Sequence, residues 1–266
     1  MNKLQTSIPQ RNDLTLLHEK LISLLSDSKS FEQFSLSPVK YANQFGGLPK
    51  QYRDLLSSIN LGGLSTFRRI VRGTREVRLR QVFSNLSEKI GSDETWLNLM
   101  DEFLDSVVIT NGRNDEDLTL FAEFVRAHES SILGDLAILE RSIYSVSNGY
   151  VDFANFDLEH DVGNGVNLSP WVEVVVTSHS AQILLSPELT RMSEMPSDRL
   201  FTLIYRSSSD SDIRLRPITS ELGKLLSESR YLPGEILVAN ERLLSEVRRL
   251  WPESCFQNHR GDGDKT

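Results

Sequence analysis

The hydrophobic pattern of the chain changes character near Gly149, and this change constrains the fold more than any other feature. From Leu64 to Ser147, apolar residues recur at spacings of three and four, which predicts amphipathic helices. Beyond Gly149 the pattern gives way to short runs of β-branched and aromatic residues, as in "WVEVVVT" at residues 171–177. A helical half that precedes strands and further helices predicts an α+β protein.

The first half is expected to form an antiparallel helical bundle. One helix is predicted to begin at the capping residue Thr74 and to end at Gly91, since glycine adopts the left-handed conformation at low cost. Ser92 is expected to cap the next helix with half of a capping box, because Thr95 stands where glutamate or glutamine would complete it. Residues 27–63 carry scattered proline and glycine and predict only short pieces.

The second half is predicted to hold a small three-stranded antiparallel sheet with helices packed on one face, a partial winged-helix arrangement. The expected strands and helices are Trp171–Thr177, Leu200–Arg206 and Ile213–Pro217, then Ser220–Ser227 and Glu235–Leu250. The stretch that precedes them, residues 149–170, is rich in glycine, asparagine and aspartate and predicts a linker. We therefore expect a helical domain over residues 1–149 and a sheet-and-helix domain over residues 150–266 that ends in a disordered tail.

The last predicted strand has the composition of a sheet edge. Leu200–Arg206 is apolar on both faces, which suits a strand with a neighbour on each side. In Ile213–Pro217, by contrast, Ile213 and Leu215 are expected to face the core while Arg214 and Arg216 face outward. Its final proline cannot donate a hydrogen bond to a neighbouring strand, so a central position is disfavoured. The arginines and the proline either protect this edge from aggregation or mark an edge to which a peptide adds as a further strand.

Arginine is crowded into the stretch "FRRIVRGTREVRLRQ". The residues concerned are Arg68, Arg69, Arg72, Arg75, Arg78 and Arg80. The stretch is either a solvated helix face or a surface that docks an acidic partner or contacts phosphates.

The sequence carries no signature of a self-contained active site. It has no phosphate-binding glycine loop, no nucleophile elbow and no histidine pair at the spacing of a helical metal site. The cluster "DLEHD" (Asp157, Glu159, His160 and Asp161) is either a metal site or a solvated acidic linker. Cys255 would be a nucleophile only beside a basic partner, which the sequence does not reveal.

Charge and hydropathy narrow the class of protein further. The net charge of −8 argues against non-specific binding of nucleic acid, which requires a positive field. No apolar run approaches the roughly 18–20 residues that span a bilayer, and "MNKLQTSIPQRNDL" lacks the apolar core of a signal peptide. Together with a single cysteine, these features lead us to expect a cytoplasmic protein without membrane contact.

Four stretches resemble a bacterial protein family in their order and spacing. "QVFSNLSEKIGSDETWLNLMDEFL", "NDEDLTLFAEFV" and "LGDLAILERSIYSV" resemble its helical half, and "LFTLIYRSSSDSDIRLRPITSELGKLLSES" is similar to its later half. The members are partner subunits of multinuclear iron enzymes that modify cysteine in ribosomally made peptides. They include the partner protein of methanobactin biosynthesis and the corresponding subunit of 3-thiaglutamate biosynthesis. The resemblance covers roughly Arg75 to Ser229.

The resemblance implies a division of labour between two chains. A separate TIM-barrel enzyme holds the iron and performs the oxidation, whereas this chain has no cofactor and no activity of its own and forms a heterodimer with the enzyme. This chain would carry a peptide-recognition element, in which the leader of a precursor peptide pairs with a small sheet beside a helix.

Site residues follow from the resemblance combined with the edge strand. The peptide-binding residues are expected to be Ile213, Arg214, Leu215 and Arg216, with Leu243 and Leu244 of the helix Glu235–Leu250 on the opposite wall. The residues that dock the enzyme are expected to be Arg68, Arg69, Arg72 and Arg75.

Two other functions stay open on the sequence. The protein could be a winged-helix-type transcription regulator in which the arginine-rich stretch contacts DNA phosphates. It could also be a freestanding enzyme that uses the "DLEHD" cluster to hold a metal.

Overall fold

The protein is an α+β structure of helices and small antiparallel sheets. The computed structural model describes residues 11–107, 114–149, 165–187, 199–207, 212–253 and 255–258. The chain divides into two compact units, Met1–Phe121 and Ala122–Thr266. The predicted boundary at residue 149 therefore falls inside the second unit.

The first unit is helical. Its elements are α1 (Arg11–Ser26), α2 (Ser28–Leu36), α3 (Pro38–Asn43), α4 (Lys50–Ser57), α5 (Leu61–Val82), α6 (Ser84–Lys89), α7 (Asp93–Ser106) and the first half of α8 (Asn114–His128). The weakly patterned early residues form four helices around a core of their own, which includes Leu24, Phe34 and Leu56. Side-chain caps start two of these short helices, since Asp27 accepts bonds at the start of α2 and Ser37 at the start of α3.

Helix α5 both begins and ends earlier than the helix predicted over Thr74–Gly91, because it stops at Val82 and α6 follows as a separate helix before Gly91. It begins at the cap Asn60, whose side chain accepts a bond from the Gly63 amide at 2.8 Å, and it continues through Thr74. The prediction that Thr74 starts a helix was wrong, because its hydroxyl instead donates to the Ile70 carbonyl within the helix. The arginine-rich stretch thus lies on one continuous 22-residue helix.

The predicted boundary after α6 is confirmed. Gly91 has a φ of 101°, the left-handed conformation expected of it, and the Ser92 hydroxyl accepts a bond from the Thr95 amide at 3.1 Å. Helix α7 then buries Trp96 and Phe103 against Phe121, with ring centroids 5.8 and 5.1 Å from that of Phe121. These aromatic contacts form a second core in the first unit.

The second unit contains two sheets and the remaining helices. Its elements after α8 are α9 (Ser131–Asn148), β1 (Val166–Leu168), β2 (Val172–Thr177), α10 (Ala181–Leu184), β3 (Leu200–Arg206), β4 (Ile213–Ile218), α11 (Ser220–Glu228), β5 (Tyr231–Leu232), α12 (Gly234–Ala239), α13 (Glu241–Leu250) and β6 (Phe256–Asn258), with a short 3-10 helix at Trp251–Glu253.

The larger sheet has the three predicted strands in the antiparallel order β2-β3-β4. Strand β3 is central, as its two apolar faces predicted, and β4 lies at an edge, as its proline predicted. The register pairs Leu203 with Arg216 and Ile204 with Leu215. Because opposite residues share a face, Arg214 and Arg216 lie on the same face as Tyr205 and Leu203.

Helices cover both faces of this sheet, whereas the sequence predicted helices on only one. Helix α9, which we had assigned to the helical domain, packs on the face that carries Glu173, and Arg141 and Ser142 of α9 both bond to that carboxylate. Helix α11 packs on the other face, where Gly223 lies against the Phe201 ring.

A second small sheet, in the order β5-β1-β6, was not predicted. Its strand β1 begins directly after Gly165, within the stretch that we expected to be a linker. The predicted helix Glu235–Leu250 is in fact α12 and α13, separated at Asn240, whose side chain caps α13 by accepting from the Leu243 amide at 3.1 Å.

The close approach of α11 to β3 allows a test of the fold. A Cβ atom at Gly223 would lie 2.2 Å from the Phe201 ring, so Gly223→Ala should lower the free energy of unfolding of the second unit by about 1–3 kcal/mol. Gly73→Ala is the matched control, because Gly73 lies inside α5 with nothing within 4 Å of the added atom. The control should be neutral or stabilising by up to about 1 kcal/mol. Urea denaturation followed by circular dichroism measures both, and equal stabilities of the two variants would contradict this packing.

Candidate functional site

The direction of the hydrogen bonds along β4 follows from one bond at the start of the strand. The Ser207 amide donates to the Asp212 carbonyl at 2.8 Å, and the register places these two residues directly opposite each other. In an antiparallel pair, hydrogen-bonded and non-hydrogen-bonded positions alternate. Arg214 and Arg216 therefore bond inward to β3, whereas the backbone groups of Ile213, Leu215 and Pro217 point away from it.

Pro217 therefore occupies an outward position, where the absence of an amide hydrogen costs no hydrogen bond between β3 and β4. The outer border of β4 offers donor and acceptor groups at Ile213 and Leu215, and an acceptor alone at Pro217. Within the described ranges, no strand pairs with this border. We call it the β4 edge.

The opposite border of the sheet, along β2, is partly occupied by the chain itself. The Val172 amide donates to the Ser169 carbonyl at 3.1 Å, and the Val172 carbonyl accepts from Arg230 at 3.0 Å. The β4 edge is therefore the better candidate for pairing with another backbone.

The burial of the β4 side chains does not alternate as predicted, although the arginines do lie on the face opposite to Ile213 and Leu215. Arg214 and Arg216 share a face with the buried residues Tyr205 and Leu203, and α11 packs on this face against β2 and β3. Both arginines are half-buried, as are Ile213 and Leu215, while Pro217 is exposed. The distinctive feature of this strand is its row of outward backbone groups rather than an exposed row of arginine side chains.

A cavity of about 570 Å³ lies at the Pro217 end of the β4 edge. Its walls come from α10 and from the ends of β3 and β4, with Arg199 among its lining residues. The apolar lining includes Ala181, Leu185, Leu200, Leu215, Pro217 and Ile218. The predicted site residue Leu215 thus belongs both to the β4 edge and to this cavity, whereas Ile213, Arg214 and Arg216 are not among the lining residues.

Helix α10 is fixed in place by a buried aspartate of α9. One carboxylate oxygen of Asp135 accepts from the Ser178 amide at 2.6 Å, from the His179 amide at 3.1 Å and from His179 Nδ1 at 2.8 Å. Ser180 then caps α10 through a bond from the Ile183 amide at 3.4 Å. This wall could not be predicted from hydrophobic periodicity, because four helical residues show no period, and the capping serine is the only local signal.

The helical wall proposed for the peptide groove does not fit the burial of its residues. Leu243 is buried in the core of the second unit and cannot line a surface groove, and Leu244 is half-buried against the same core. The polar contact of α13 with the end of β4 comes from Glu246 instead. Its carboxylate accepts from the Thr219 amide at 3.0 Å and from the Thr219 hydroxyl at 2.6 Å.

The arginines expected to dock a partner are mostly engaged within the first unit. Arg72 bonds to Asp101 at 2.8 Å and to Asp105 at 2.6 Å. Arg75 donates two hydrogen bonds, of 2.8 and 2.9 Å, to the Asp117 carboxylate. The sequence could not reveal these pairings, since the aspartates lie 29 to 42 residues away along the chain.

The other two members of that predicted surface differ from each other. Arg68 is buried and donates to the Leu24 carbonyl at 3.4 Å and to the Ser28 hydroxyl at 2.6 Å, so it is unavailable for docking. Arg69 is exposed. Of the four arginines expected to dock the enzyme, Arg69 therefore suits that role best.

Burial and neighbouring charges act differently on the two central arginines. Burial, and then the positive charge of Arg72, lowers the pKa of Arg68 below its ordinary value, although Asp105 partly offsets this. Burial would also lower the pKa of Arg72, but its hydrogen bonds to Asp101 and Asp105 outweigh burial and raise the pKa. Arg72 is therefore a firmly held cation whose charge is already compensated.

The structure describes only some of the residues that the sequence offered as metal ligands or as a nucleophile. Among the described residues, no three His, Cys, Asp or Glu side chains cluster as metal ligands would. The "DLEHD" residues Asp157, Glu159, His160 and Asp161 lie outside the described part of the chain, as does most of the predicted C-terminal tail. Cys255 is buried in the core of the second unit, directly before β6. In the same described ranges, no helix combines the length and the apolar character needed to cross a membrane.

Comparison with known proteins adds no family to these observations. No known family matches the chain, and no curated protein matches it either.

The pairing of Arg75 with Asp117 predicts a stability difference between arginines. Their side chains are about 13% and 11% exposed, so Arg75→Ala leaves a largely buried carboxylate without its partner. We expect this substitution to lower the free energy of unfolding by about 3 kcal/mol. Arg69→Ala, on the same helix, should change it by less than about 0.5 kcal/mol. Denaturant titration of both variants measures the difference, and indistinguishable variants would show that the ion pair contributes nothing.

Proposed function

We propose that the second unit binds an extended peptide as an additional strand along the β4 edge. The observation that carries this proposal is the run of outward backbone groups at Ile213, Leu215 and Pro217, derived from the Ser207–Asp212 bond and the strand register. Strand addition uses such groups for affinity and neighbouring pockets for specificity. The cavity at the Pro217 end is a pocket in a suitable place.

In this proposal the peptide is the leader of a ribosomally made precursor, as the family resemblance implies. The element order is compatible with this interpretation, because a winged-helix-like recognition element would also have a three-stranded antiparallel sheet followed by helices, here α11, α12 and α13. The chain would be the non-catalytic subunit of a heterodimer whose TIM-barrel partner holds the iron. Tethering the leader would raise the effective concentration of the precursor's cysteine at that iron site.

The docking surface for the enzyme is proposed to lie on the exposed face of α5. Phe67, Ile70 and Val77 are all more than half exposed, and their spacing places them on one side of the helix. Exposed apolar residues that lie together are typical of protein interfaces, and the exposed Arg69 lies on another side of the same helix. This surface replaces the arginines that are paired within the unit.

The alternative of DNA binding has lost its main support. The residues that would contact phosphates include Arg72, Arg75 and Arg80, and each of these is paired with an aspartate. With a net charge of −8, little positive field remains to attract a nucleic acid. Binding of DNA at moderate salt in a gel shift, without binding of peptide, would favour this alternative.

A proline substitution can remove one outward amide without touching the β3–β4 pairing. We expect Leu215→Pro to weaken binding of a fluorescein-labelled peptide, selected on the wild-type chain from a random dodecapeptide library, by roughly tenfold or more. The reason is that the variant lacks a donor and leaves a peptide carbonyl without its partner. Fluorescence anisotropy measures the affinity. Leu215→Ala, which keeps the amide, is the control for the lost side chain and should bind more tightly than Leu215→Pro.

A second control tests the inferred direction of the bonds. Arg216→Pro removes an inward amide, so it should destabilise the second unit by roughly 1–3 kcal/mol, whereas Leu215→Pro should not. If both prolines destabilise the unit equally, the assignment of outward groups is wrong. If the wild-type chain selects no peptide at all, the proposed function is wrong.

A further inference from the structure

We propose that the cavity beside Pro217 receives a large apolar side chain of the bound strand, and that the strand carries an acidic residue close to this anchor. This inference rests on the proposed function and names the class of peptide that the β4 edge selects. Its test separates a failure of the anchor from a failure of strand addition.

The backbone of the β4 edge cannot provide selectivity by itself. Its outward groups are two donors and three acceptors, because Ile213 and Leu215 offer both kinds of group and Pro217 offers a carbonyl alone. Any extended peptide can bond to these groups, whatever its sequence. Selection among peptides must therefore come from side chains of the added strand and from the surfaces that they meet.

The pleat of the sheet determines which side chains reach the cavity. Residues directly opposite each other in adjacent strands have side chains on the same face. On β4, Leu215 and Pro217 share a face with Thr202 of β3, and all three line the cavity. In an antiparallel added strand, the residues opposite Leu215 and Pro217 therefore present their side chains on the cavity's face of the sheet.

The composition of the cavity indicates an apolar anchor. Its walls are mainly apolar and include Ala181 of α10 and Leu185, which directly follows that helix, and its volume of about 570 Å³ is typical of ligand pockets. Pro217, which is exposed and belongs to the edge strand itself, is among its lining residues. A side chain of a strand on that edge would therefore lie next to the cavity.

Arg199 supplies the charge complementarity. It is exposed, it lines the cavity, and it forms no ion pair with the described residues. It directly precedes Leu200, the first residue of β3, so it lies at the end of the sheet where the added strand passes the cavity. An acidic residue within two positions of the anchor would meet this guanidinium.

The test begins with selection from a random library. A messenger-RNA-display library of dodecapeptides is selected on the immobilised full chain and on the Ala181→Phe variant, which fills the cavity. The expected result on the wild-type chain is enrichment of peptides with one bulky apolar position, Leu, Ile, Phe or Trp, followed or preceded closely by Asp or Glu. Peptides from this pool should bind Ala181→Phe roughly tenfold to a hundredfold more weakly.

Two further variants keep the result interpretable. Ile183→Phe adds the same aromatic group to α10 at a residue that does not line the cavity, and it should leave the affinity within about twofold. Arg199→Gln should weaken the acidic peptides by roughly twofold to fivefold, an effect that 0.5 M salt should remove, as expected of an exposed ion pair.

Each other outcome contradicts the anchor in a distinguishable way. Enriched peptides without an apolar position, or with equal affinity for the Ala181→Phe variant, would overturn the anchor and leave strand addition standing. Enrichment of no peptide would overturn both. A dimer of the wild-type chain that is lost in Leu215→Pro would place a second copy at the edge and would also overturn the proposal.

Discussion

The open border of the sheet depends on a constraint set by one hydrogen bond, from the Ser207 amide to the Asp212 carbonyl. That bond closes the β3–β4 hairpin in a register that turns alternate backbone groups of β4 outward. With the register shifted by one residue, Pro217 would stand in an inward position and the pairing with β3 would lose a donor. In the observed register the proline faces outward and removes no hydrogen bond between β3 and β4. The position of the proline and the direction of the open groups are thus two consequences of a single register.

The helices determine why the border of the sheet, rather than a face, is open to a partner. Helix α9 occupies one face through the bonds of Arg141 and Ser142 to Glu173, and α11 occupies the other through its contact at Gly223. With both faces covered, a ligand can reach this sheet along β4 or through the cavity beside α10. In the first unit, by contrast, Arg72 and Arg75 form ion pairs with aspartates of other helices, so their positive charge is not available to a partner.

Much of the fold could be predicted from local sequence signals, and the rest depended on distant contacts. Alternation and β-branching predicted β3 and β4 to within a residue, and the serine after Gly91 correctly marked the start of α7. Nothing local indicated that α9 would pack on the sheet or that Asp117 would pair with Arg75. For the candidate site, a proline predicted the edge, but the expected alternation of core and solvated side chains on β4 is absent, since both arginines are as half-buried as Ile213 and Leu215. The cavity wall at α10 is too short to show any period.

The most direct test of the open edge is residue-resolved amide hydrogen exchange of the free protein, measured by nuclear magnetic resonance. If the outer groups of β4 are unpaired, the amides of Ile213 and Leu215 should exchange near the rate of an unstructured peptide. Those of Arg214 and Arg216, bonded to β3, should be protected far more strongly. Strong protection of Leu215 in the absence of any peptide would mean that this border is already paired, and the account would be contradicted.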